Sequence, residues 1–404
     1  MSRRESATLI ASLALALAAA VSLGTARFSY ALLLPPMRAD LGWSYFTAGA
    51  MNTVNAAGYL LGALVLPWLM QRHDARRVML LGGAAAALLM VLHGAVRSDA
   101  ALLLLRGACG MASAASFVGG GVLAARLAGQ GGAGAMGAGL VLGLYYGGTG
   151  LGIVASALLV PPWVAESAVD AAAGGAAGGA AGWPGAWVVL GTVSLLATAF
   201  TAWGTRALHA PPAVGAARVR LPMAPFAWAL LGYGMFGLGY IGYMTFIVTL
   251  LREQGLASGT VALFYGVLGL GVVASSWLWA GLLQRHSGGR PLATLNALLA
   301  VATLLPVLSV QPAAVFVSGA LFGSVFLSVV ASTTALVRHN LPAAAWPSGI
   351  AAFTIVFAAG QIVGPTLVGW VADGPGGLAR GFVVSAAALA LGALLATRQR
   401  ALAR

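Results

Sequence analysis

Long apolar runs separated by short polar breaks make up most of the sequence. Each run approaches the ~20 residues that a helix needs to cross a bilayer, without the alternating polarity typical of a barrel strand. Because backbone polar groups must be paired inside lipid, these runs are predicted to be helices. The sequence predicts twelve of them, at 8–34, 46–70, 78–96, 100–125, 134–160, 185–204, 226–250, 260–283, 291–310, 313–337, 346–371 and 379–397.

Turn-forming residues mark the breaks between the predicted helices. The clearest are Pro35-Pro36, Pro161-Pro162, Pro211-Pro212, Gly288-Gly289 and Gly374-Pro375-Gly376-Gly377. The longest inner break, 205–225, is predicted to be a cytoplasmic linker between a six-helix bundle at 1–204 and a second at 226–404. An Ala- and Gly-rich stretch at 171–182 is predicted to be a flexible outer loop.

The composition agrees with an all-α polytopic membrane protein. Of 404 residues, 60% are hydrophobic and 7% are charged, and the mean hydropathy is +0.94. Soluble domains carry about 25% charged residues, so a soluble enzyme is excluded. The single cysteine, Cys109, excludes a disulfide framework. The net charge of +13 comes from scattered arginines rather than from a basic patch, so no nucleic-acid partner is expected.

The distribution of arginines predicts the orientation of the chain, because cytoplasmic loops are enriched in basic residues. With the N-terminus inside, the four outer arginines are Arg38, Arg97, Arg252 and Arg380. The fifteen inner ones are Arg3, Arg4, Arg72, Arg76, Arg77, Arg126, Arg206, Arg218, Arg220, Arg285, Arg290, Arg338, Arg398, Arg400 and Arg404. Both termini are therefore predicted to be cytoplasmic.

The two halves of the sequence match each other at an offset of 213 residues. The segment Leu69-Met70-Gln71-Arg72-His73 falls on Leu282-Leu283-Gln284-Arg285-His286. The further matches are Gly24 with Gly237, Tyr30 with Tyr243, Gly110 with Gly323, and Gly147 with Gly360. Parallel repeats of this kind rock about a central substrate site near the membrane midplane.

Several motifs resemble those of one transporter superfamily. They are Leu34-Pro35-Pro36-Met37 with Asp40 to Gly49 between helices one and two, Gln71 to Arg77 between helices two and three, Arg106 with Gly110 in helix four, Gly143 to Gly152 in helix five, and Gly360 with Gly364-Pro365 in helix eleven. In these motifs the chain is similar to the major facilitator superfamily. Its run of Arg27-Phe28, Tyr30 and Leu34-Pro35-Pro36 most resembles the YbfB/YjiJ-type bacterial branch.

The resemblance implies a secondary transporter that works by alternating access, and it implies roles for particular residues. Gating or coupling roles are implied for Arg72, Arg76, Arg77, Arg106, Gly147, Gly364 and Pro365. The chain departs from the family pattern at Gln71, where the family has Asp, and at Asp74, where it has Gly. Its helix-five motif also lacks the proline of the antiporters.

Two ionisable residues, Arg27 and Arg106, lie well inside predicted helices, and no Asp, Glu or Lys does. Such a residue costs about 2.5–3.5 kcal/mol to insert and is therefore a functional candidate. Since a guanidinium binds carboxylates bidentately, the favoured substrate is a small organic anion, most plausibly a carboxylate. The alternative is that either arginine extends along its own stem to the membrane surface.

Polar and aromatic residues on nearby helices are further candidates for a substrate site, because a tyrosine combines an apolar face with a hydroxyl group. Packing or interfacial anchoring is the alternative for each of them. The candidates are Tyr30, three residues after Arg27, its repeat mate Tyr243, and Tyr240, Asn52, Asn55, Tyr145, Tyr146, Tyr265 and Gln361.

Other functions remain open at this point. Proton-coupled efflux of amphipathic or drug-like compounds is the main alternative, favoured by the glycine-rich helix five. A membrane-embedded enzyme is disfavoured because no catalytic motif is visible, and a channel lacks a filter motif. No P-loop occurs, so a gradient is the expected driving force and no cofactor is expected. A proton is the candidate coupling ion, carried by His93, by Asp40 or Glu253 at helix ends, or by the substrate itself. We expect a monomer in the bacterial inner membrane.

Overall fold

A computed structural model describes residues 3–129, 138–172, 182–209, 223–342 and 345–402; for 3, 4, 138 and 165–172 it describes the backbone alone. Within these ranges the structure is helical without strands, and twelve helices are long and apolar enough to span a bilayer. This confirms the predicted all-α fold. In chain order, α1 to α12 are Glu5–Leu41, Tyr45–Met70, Ala75–His93, Asp99–Gly129, Gly139–Val164, Trp183–Gly204, Ala224–Glu253, Ser258–Arg285, Arg290–Leu308, Pro312–Asn340, Trp346–Ala372 and Gly377–Thr397.

Some sequence predictions fall outside the described residues. These are Pro211-Pro212 and most of the linker, most of the stretch 171–182, and Arg218, Arg220 and Arg404. The side chains of Arg3 and Arg4 are also outside.

Two proline pairs predicted as helix breaks lie inside helices instead. Pro35-Pro36 lies within the segment Tyr30–Leu41, and Pro161-Pro162 lies within a helix that runs from Ala138 to Ala172. Around the first pair, Leu33, Leu34 and Met37 are buried, so side-chain packing offsets the backbone hydrogen bonds that proline cannot make. The helix ends at Gly42, whose left-handed φ of 66° suits glycine and whose N–H donates to the carbonyl of Arg38.

The chain forms two compact units. The first contains Met1–Gly42, Val54–Val214 and Leu256–Gly269, and the second contains Trp43–Thr53, Gly215–Gly255 and Leu270–Arg404. The first part of α2 thus belongs to the second unit and the rest of α2 to the first. The first part of α8, up to Gly269, belongs to the first unit and the rest of α8 to the second.

Glycines allow helices to cross closely within each unit. In the first unit, a Cβ on Gly148 of α5 would lie 2.0 Å from Ala16 O of α1, and a Cβ on Gly152 would lie 2.3 Å from Ala20 O of the same helix. In the second unit, a Cβ on Gly360 of α11 would lie 2.5 Å from Gly234 O of α7, and a Cβ on Gly364 would lie 2.5 Å from Leu238 O. In both units, therefore, two glycines four residues apart let one helix touch the backbone of another.

The start of α2 is held by contacts inside the second unit. The carboxylate of Asp373, at the end of α11, accepts hydrogen bonds from the amides of Tyr45 (2.8 Å) and Phe46 (2.9 Å). The Tyr45 hydroxyl donates to the carboxylate of Glu253, and Thr53 Oγ1 donates to the Ile362 carbonyl at 2.6 Å. Asp373 thereby satisfies amides that a helix leaves unpaired in its first turn.

Candidate functional site

Three basic side chains are buried in the described part of the first unit: Arg27 on α1, His93 on α3 and Arg106 on α4. The acidic residues whose side chains the structure describes all lie at or beyond helix ends. They are Glu5, Asp40, Asp74, Asp99, Glu253 and Asp373. The buried cations of this unit consequently have no carboxylate beside them among the described residues.

The helix α1 is wound as a π-helix from Ala20 to Phe28, around Arg27. The Ser29 amide donates to Gly24 O, five residues back, at 3.1 Å, and the Leu32 amide donates to Ser29 O, three residues back, at 3.0 Å. Two carbonyls of this stretch accept side-chain hydrogen bonds from other helices. Ala26 O accepts from Arg106 Nη1 at 3.2 Å, and Phe28 O accepts from the Tyr265 hydroxyl at 2.6 Å. Such π-helical turns frequently mark functional sites.

Arg27 is buried, with 4% of its surface exposed. Its guanidinium carbon lies 5.8 Å from the ring centroid of Phe28 and 5.7 Å from that of Tyr59. Its Nε and Nη2 are buried without a hydrogen-bond partner among the described residues. The helix continues fourteen residues beyond it, about 21 Å at 1.5 Å per residue. Arg27 thus lies buried and far from the end of its helix.

Arg106 is buried to 1% exposure and is bonded into the fold. Besides its bond to Ala26 O, its guanidinium carbon lies 4.7 Å from the ring centroid of Tyr30 and 5.9 Å from that of Trp187. The Arg106 carbonyl accepts a hydrogen bond from Asn55 Nδ2 at 2.9 Å. Arg106 therefore fastens α1, α2, α4 and α6 together, and the charge of Arg27 acts on it unfavourably.

The structure places the ring of Tyr30 against the guanidinium of Arg106. Tyr30 follows the π-helical segment Ala20–Phe28, which changes the angle between successive side chains.

Aromatic residues on α2, α4 and α5 form a cluster in the first unit, which we call the aromatic wall: Tyr59, Phe117, Tyr145 and Tyr146. The Tyr145 hydroxyl donates to the Phe117 carbonyl, and the two rings stack at 5.5 Å. Tyr146 packs edge-on against Tyr145 at 5.2 Å. Tyr59 is close enough to interact electrostatically with Tyr145.

Two members of the wall point away from the apolar surface of their helices. At about 100° per residue, Tyr59 lies about 160° around α2 from the exposed Leu61, and Tyr146 lies about 140° around α5 from the exposed Leu151. Tyr146 is nevertheless 44% exposed, whereas Tyr145 is fully buried. Tyr146 is thus a wall residue with an open surface, and Tyr145 supports it.

Sequence reasoning missed Tyr59 and Phe117. A signal for Tyr59 was present, since Asn52, Asn55 and Tyr59 have the spacing of one helical face. Phe117 carried no signal of its own, because its place depends on the packing of α4 against α5.

The candidates on α7 and α11 hydrogen-bond inside the second unit. Tyr240 accepts a hydrogen bond from Gln361 Nε2 and stacks on Phe236 at 4.7 Å. The Tyr243 hydroxyl lies 2.7 Å from Ser318 Oγ, and its ring stacks on Phe322 at 3.9 Å.

Asn52 and Asn55 have partners in different units. Asn52, on the part of α2 that belongs to the second unit, donates from Nδ2 to Thr245 Oγ1 of α7 at 2.6 Å. Asn55, on the part that belongs to the first unit, donates to Arg106 O of α4. Asn52 therefore contacts α7, whereas Asn55 contacts α4.

The arginines of the motif between α2 and α3 lie at the surface of the first unit. Arg76 donates from Nη2 to Ala202 O (2.6 Å) and from Nε to Thr205 Oγ1 (3.2 Å), which ties the loop to the end of α6. Arg72 stacks over Trp68 at 4.3 Å, and Arg77 is exposed.

The implied gating glycines and proline have packing contacts. Gly147 is buried in α5, but its neighbours Gly148 and Gly152 make the crossing with α1. Gly364 makes the crossing of α11 with α7, and the carbonyl of Pro365 would lie 2.2 Å from a Cβ on Gly49.

No group of three His, Cys, Asp or Glu side chains that could hold a metal ion occurs in the part of the chain that the structure describes.

Comparisons with known proteins agree with this architecture. A family model described as "Uncharacterised MFS-type transporter YbfB" matches residues 19–397. No curated protein matches the sequence. The fold is similar to that of a bacterial homologue of the human lysosomal transporter Spinster in an inward-facing, occupied conformation, with 14% identity, a TM-score of 0.72 and coverage of 98% and 97% of the two chains. It is also similar to the nucleoside transporter NupG, with 14% identity, a TM-score of 0.66 and 98% of each chain covered.

Proposed function

The chain belongs to the YbfB-type family of major facilitator superfamily transporters, and we propose that the substrate it carries by alternating access is a small organic anion, a carboxylate. It is an integral membrane transporter and not an enzyme, and proteins of this superfamily bind small molecules within the membrane. The nature of the substrate is the part that we propose from the residues of the site.

The proposal rests on Nε and Nη2 of Arg27, which have no hydrogen-bond partner among the described residues. These two nitrogens lie along one edge of the guanidinium, and their N–H groups can donate in parallel to both oxygens of a carboxylate. A buried donor without an acceptor costs about 1–3 kcal/mol, and this cost is relieved when an acceptor binds. An anionic substrate would supply both the acceptor and the missing negative charge.

The rings beside Arg27 favour a carboxylate with a flat apolar body. Phe28 and Tyr59 lie against the guanidinium, and the aromatic wall continues from Tyr59 to the open surface of Tyr146. A planar ring could stack on these faces while its carboxylate pairs with Arg27. Benzoate is the simplest probe of this chemistry, and acetate has the same charge without the ring.

Efflux of amphipathic compounds is the competing proposal, based on the glycine-rich α5. Gly148 and Gly152 have a packing role, because α1 approaches them too closely for a side chain. Their presence therefore does not by itself favour efflux over anion transport.

Thermal unfolding of the purified protein tests the anion site, because a ligand that binds the folded state stabilises it by about 2.7 kcal/mol at 100 times its Kd and so raises Tm. We expect benzoate to raise Tm of the wild type and of Arg285→Gln, the control in which an exposed arginine is changed, but not of Arg27→Gln. Stabilisation of Arg27→Gln by benzoate would contradict the anion site. Stabilisation of the wild type by tetraphenylphosphonium alone would favour efflux.

The location and the larger organisation remain proposals as well. We place the protein in the bacterial inner membrane as a monomer, with both termini in the cytoplasm and with bundles 1–204 and 226–404 joined by the linker 205–225. The excess of arginines in the predicted inner segments supports this orientation. Reporter fusions to the two ends test it, and reporters on opposite sides of the membrane would contradict it.

A further inference from the structure

Arginines gather where α3 begins and α6 ends, inside the first unit. Arg76 donates from Nη2 to Ala202 O at 2.6 Å and from Nε to Thr205 Oγ1 at 3.2 Å, so the first turn of α3 is bonded to the end of α6. Arg77 is the next residue of α3, and Arg206 directly follows Thr205. Three arginines therefore lie at this end of the helix pair.

Basic residues outnumber acidic ones around this end of α3 and α6. Arg126, in the last turn of α4, donates to His209 O at 3.4 Å and adds a fourth arginine. Among the described residues, the acidic ones here are Asp74 and Glu5. Asp74 accepts a hydrogen bond from the Arg76 amide at 2.8 Å, and Glu5 lies at the start of α1, which packs on the end of α6. Four guanidiniums thus face two carboxylates.

The side chains of Arg77 and Arg206 are exposed, and their donors are open to a ligand. The part of the chain that the structure describes offers neither guanidinium a hydrogen-bond or ion-pair partner. The guanidinium carbon of Arg206 lies 5.8 Å from the ring centroid of Trp203, which is also exposed. Because exposed tryptophans at helix ends are typical of the headgroup level of a bilayer, these arginines lie where lipid phosphates are found.

The helices α3 and α6 touch closely along their length. A Cβ on Gly191 of α6 would lie 2.8 Å from Val91 N of α3. A Cβ on Gly83 of α3 would lie 3.1 Å from Thr198 Oγ1 of α6. Two contacts, about two turns apart, therefore hold the helices side by side.

Exposed leucines flank the contact between α3 and α6 on both helices. Leu88 lies three residues before Val91 and is turned about 60° from it around α3. Leu195, also exposed, has the same relation to Thr198 on α6. Leu88 shares a face of α3 with Arg77, from which it is turned by only about 20°. A shallow apolar groove between α3 and α6 therefore leads to the arginines.

We propose that this groove binds an anionic phospholipid, with the phosphate on Arg77 and Arg206 and an acyl chain between α3 and α6. Guanidiniums bind phosphate bidentately, and basic clusters between helices at a membrane surface are typical sites for acidic headgroups. Leu88 lies about 16 Å along α3 from Arg77, about half of the ~30 Å hydrocarbon core, which is the depth of one leaflet. The choline group of a zwitterionic lipid would instead be repelled by the excess of arginines. The proposal is independent of the anion site at Arg27.

Native mass spectrometry of the purified protein in detergent tests the site by measuring Kd for the first lipid bound. The probes are dioleoylphosphatidylglycerol, dioleoylphosphatidylcholine, which has the same chains without net charge, and glycerol 3-phosphate, which has the phosphate without the chains. We expect phosphatidylglycerol to bind at least about 10-fold more tightly than either of the others. Equal Kd values for the two lipids would overturn the proposal, and so would glycerol 3-phosphate binding as tightly as phosphatidylglycerol.

Two double variants distinguish this groove from a general attraction between charges. Arg77→Gln/Arg206→Gln removes both proposed phosphate ligands, and we expect its Kd for phosphatidylglycerol to rise about 30-fold. Arg285→Gln/Arg380→Gln is the matched control, because it removes two exposed arginines from the second unit. We expect it to bind as the wild type does. An equal loss of affinity in both would show that the net charge of the protein attracts the lipid, and would contradict a site in the groove.

The Tm of each variant in detergent shows whether it is folded. A folded Arg77→Gln/Arg206→Gln variant that keeps the wild-type Kd would overturn the assignment of the phosphate to these arginines. If the double variant does not fold, Arg77→Gln alone takes its place, with an expected rise in Kd of about 5-fold. Benzoate binding is measured separately, so the failure of this site and the failure of the proposed function are distinguishable.

Discussion

The guanidinium of Arg27 on α1 lies 5.7 Å from the ring centroid of Tyr59 on α2. Two helices that are neighbours in sequence thus bring a cation and an aromatic face together inside the first unit. In the proposed site, the cation binds the carboxylate and the ring contacts the apolar body of the same substrate.

Replacing Tyr59 with leucine should therefore weaken benzoate binding more than acetate binding. An aromatic contact is worth about 0.5–1.5 kcal/mol, which corresponds to an increase in the benzoate Kd of about 2- to 10-fold. Titration calorimetry on Tyr59→Leu checks this value, and Tyr59→Phe is the control that keeps the ring. If Tyr59→Leu binds benzoate as tightly as the wild type, Tyr59 lies outside the site.

The sequence was sufficient to predict twelve helices because lipid leaves a long apolar segment almost no other structure. The errors occurred where local and tertiary effects compete. Pro35-Pro36 is a reliable turn signal in isolation, yet the helix continues through it because the flanking leucines are buried. The helix ends at Gly42, where the backbone adopts a left-handed φ that the structure shows and the sequence pattern does not.

The candidate site could be predicted only in part. Arg27 stands out in the sequence because a charge inside an apolar run is costly. Its neighbours depend on contacts between helices, so Tyr59 was missed. The pairing of Tyr30 with Arg106 follows from the π-helical segment, which hydrophobic periodicity does not show. Hydrogen bonding likewise distinguishes Arg106, which bonds to Ala26, from Arg27, whose Nε and Nη2 are unpaired.

The crossing of α1 and α5 predicts very different results for two glycines of the same helix. A Cβ on Gly148 would lie 2.0 Å from the carbonyl oxygen of Ala16, whereas no atom of the described residues lies within 4 Å of a Cβ on Gly139. Gly148→Ala should destabilise the protein by about 1–3 kcal/mol or more, because backbone atoms must move. Gly139→Ala should be neutral or slightly stabilising, since alanine has the higher helix propensity.

Thermal unfolding of the two alanine variants in the same detergent measures this difference. Equal Tm values for Gly148→Ala and Gly139→Ala would show that α1 and α5 do not approach as closely as the structure has them.

The two buried arginines should respond in opposite directions when each is replaced by methionine. Arg27 holds two buried donors that have no partner in the described part of the chain, at a cost of about 1–3 kcal/mol. Because methionine fills a similar space without this cost, Arg27→Met should raise Tm of the ligand-free protein and abolish the response to benzoate. Arg106→Met should lower Tm, because it removes the bond to Ala26 O and the contact with Tyr30, worth about 1.5–3 kcal/mol for a charged hydrogen bond.

Measuring Tm for both variants with and without benzoate distinguishes a residue whose role is to bind the substrate from one whose role is to stabilise the fold. A gain in stability on loss of function is typical of a site that is incomplete without its ligand. If Arg27→Met instead lowers Tm as much as Arg106→Met does, Arg27 stabilises the fold as Arg106 does. Its two donors would then no longer support an anionic substrate.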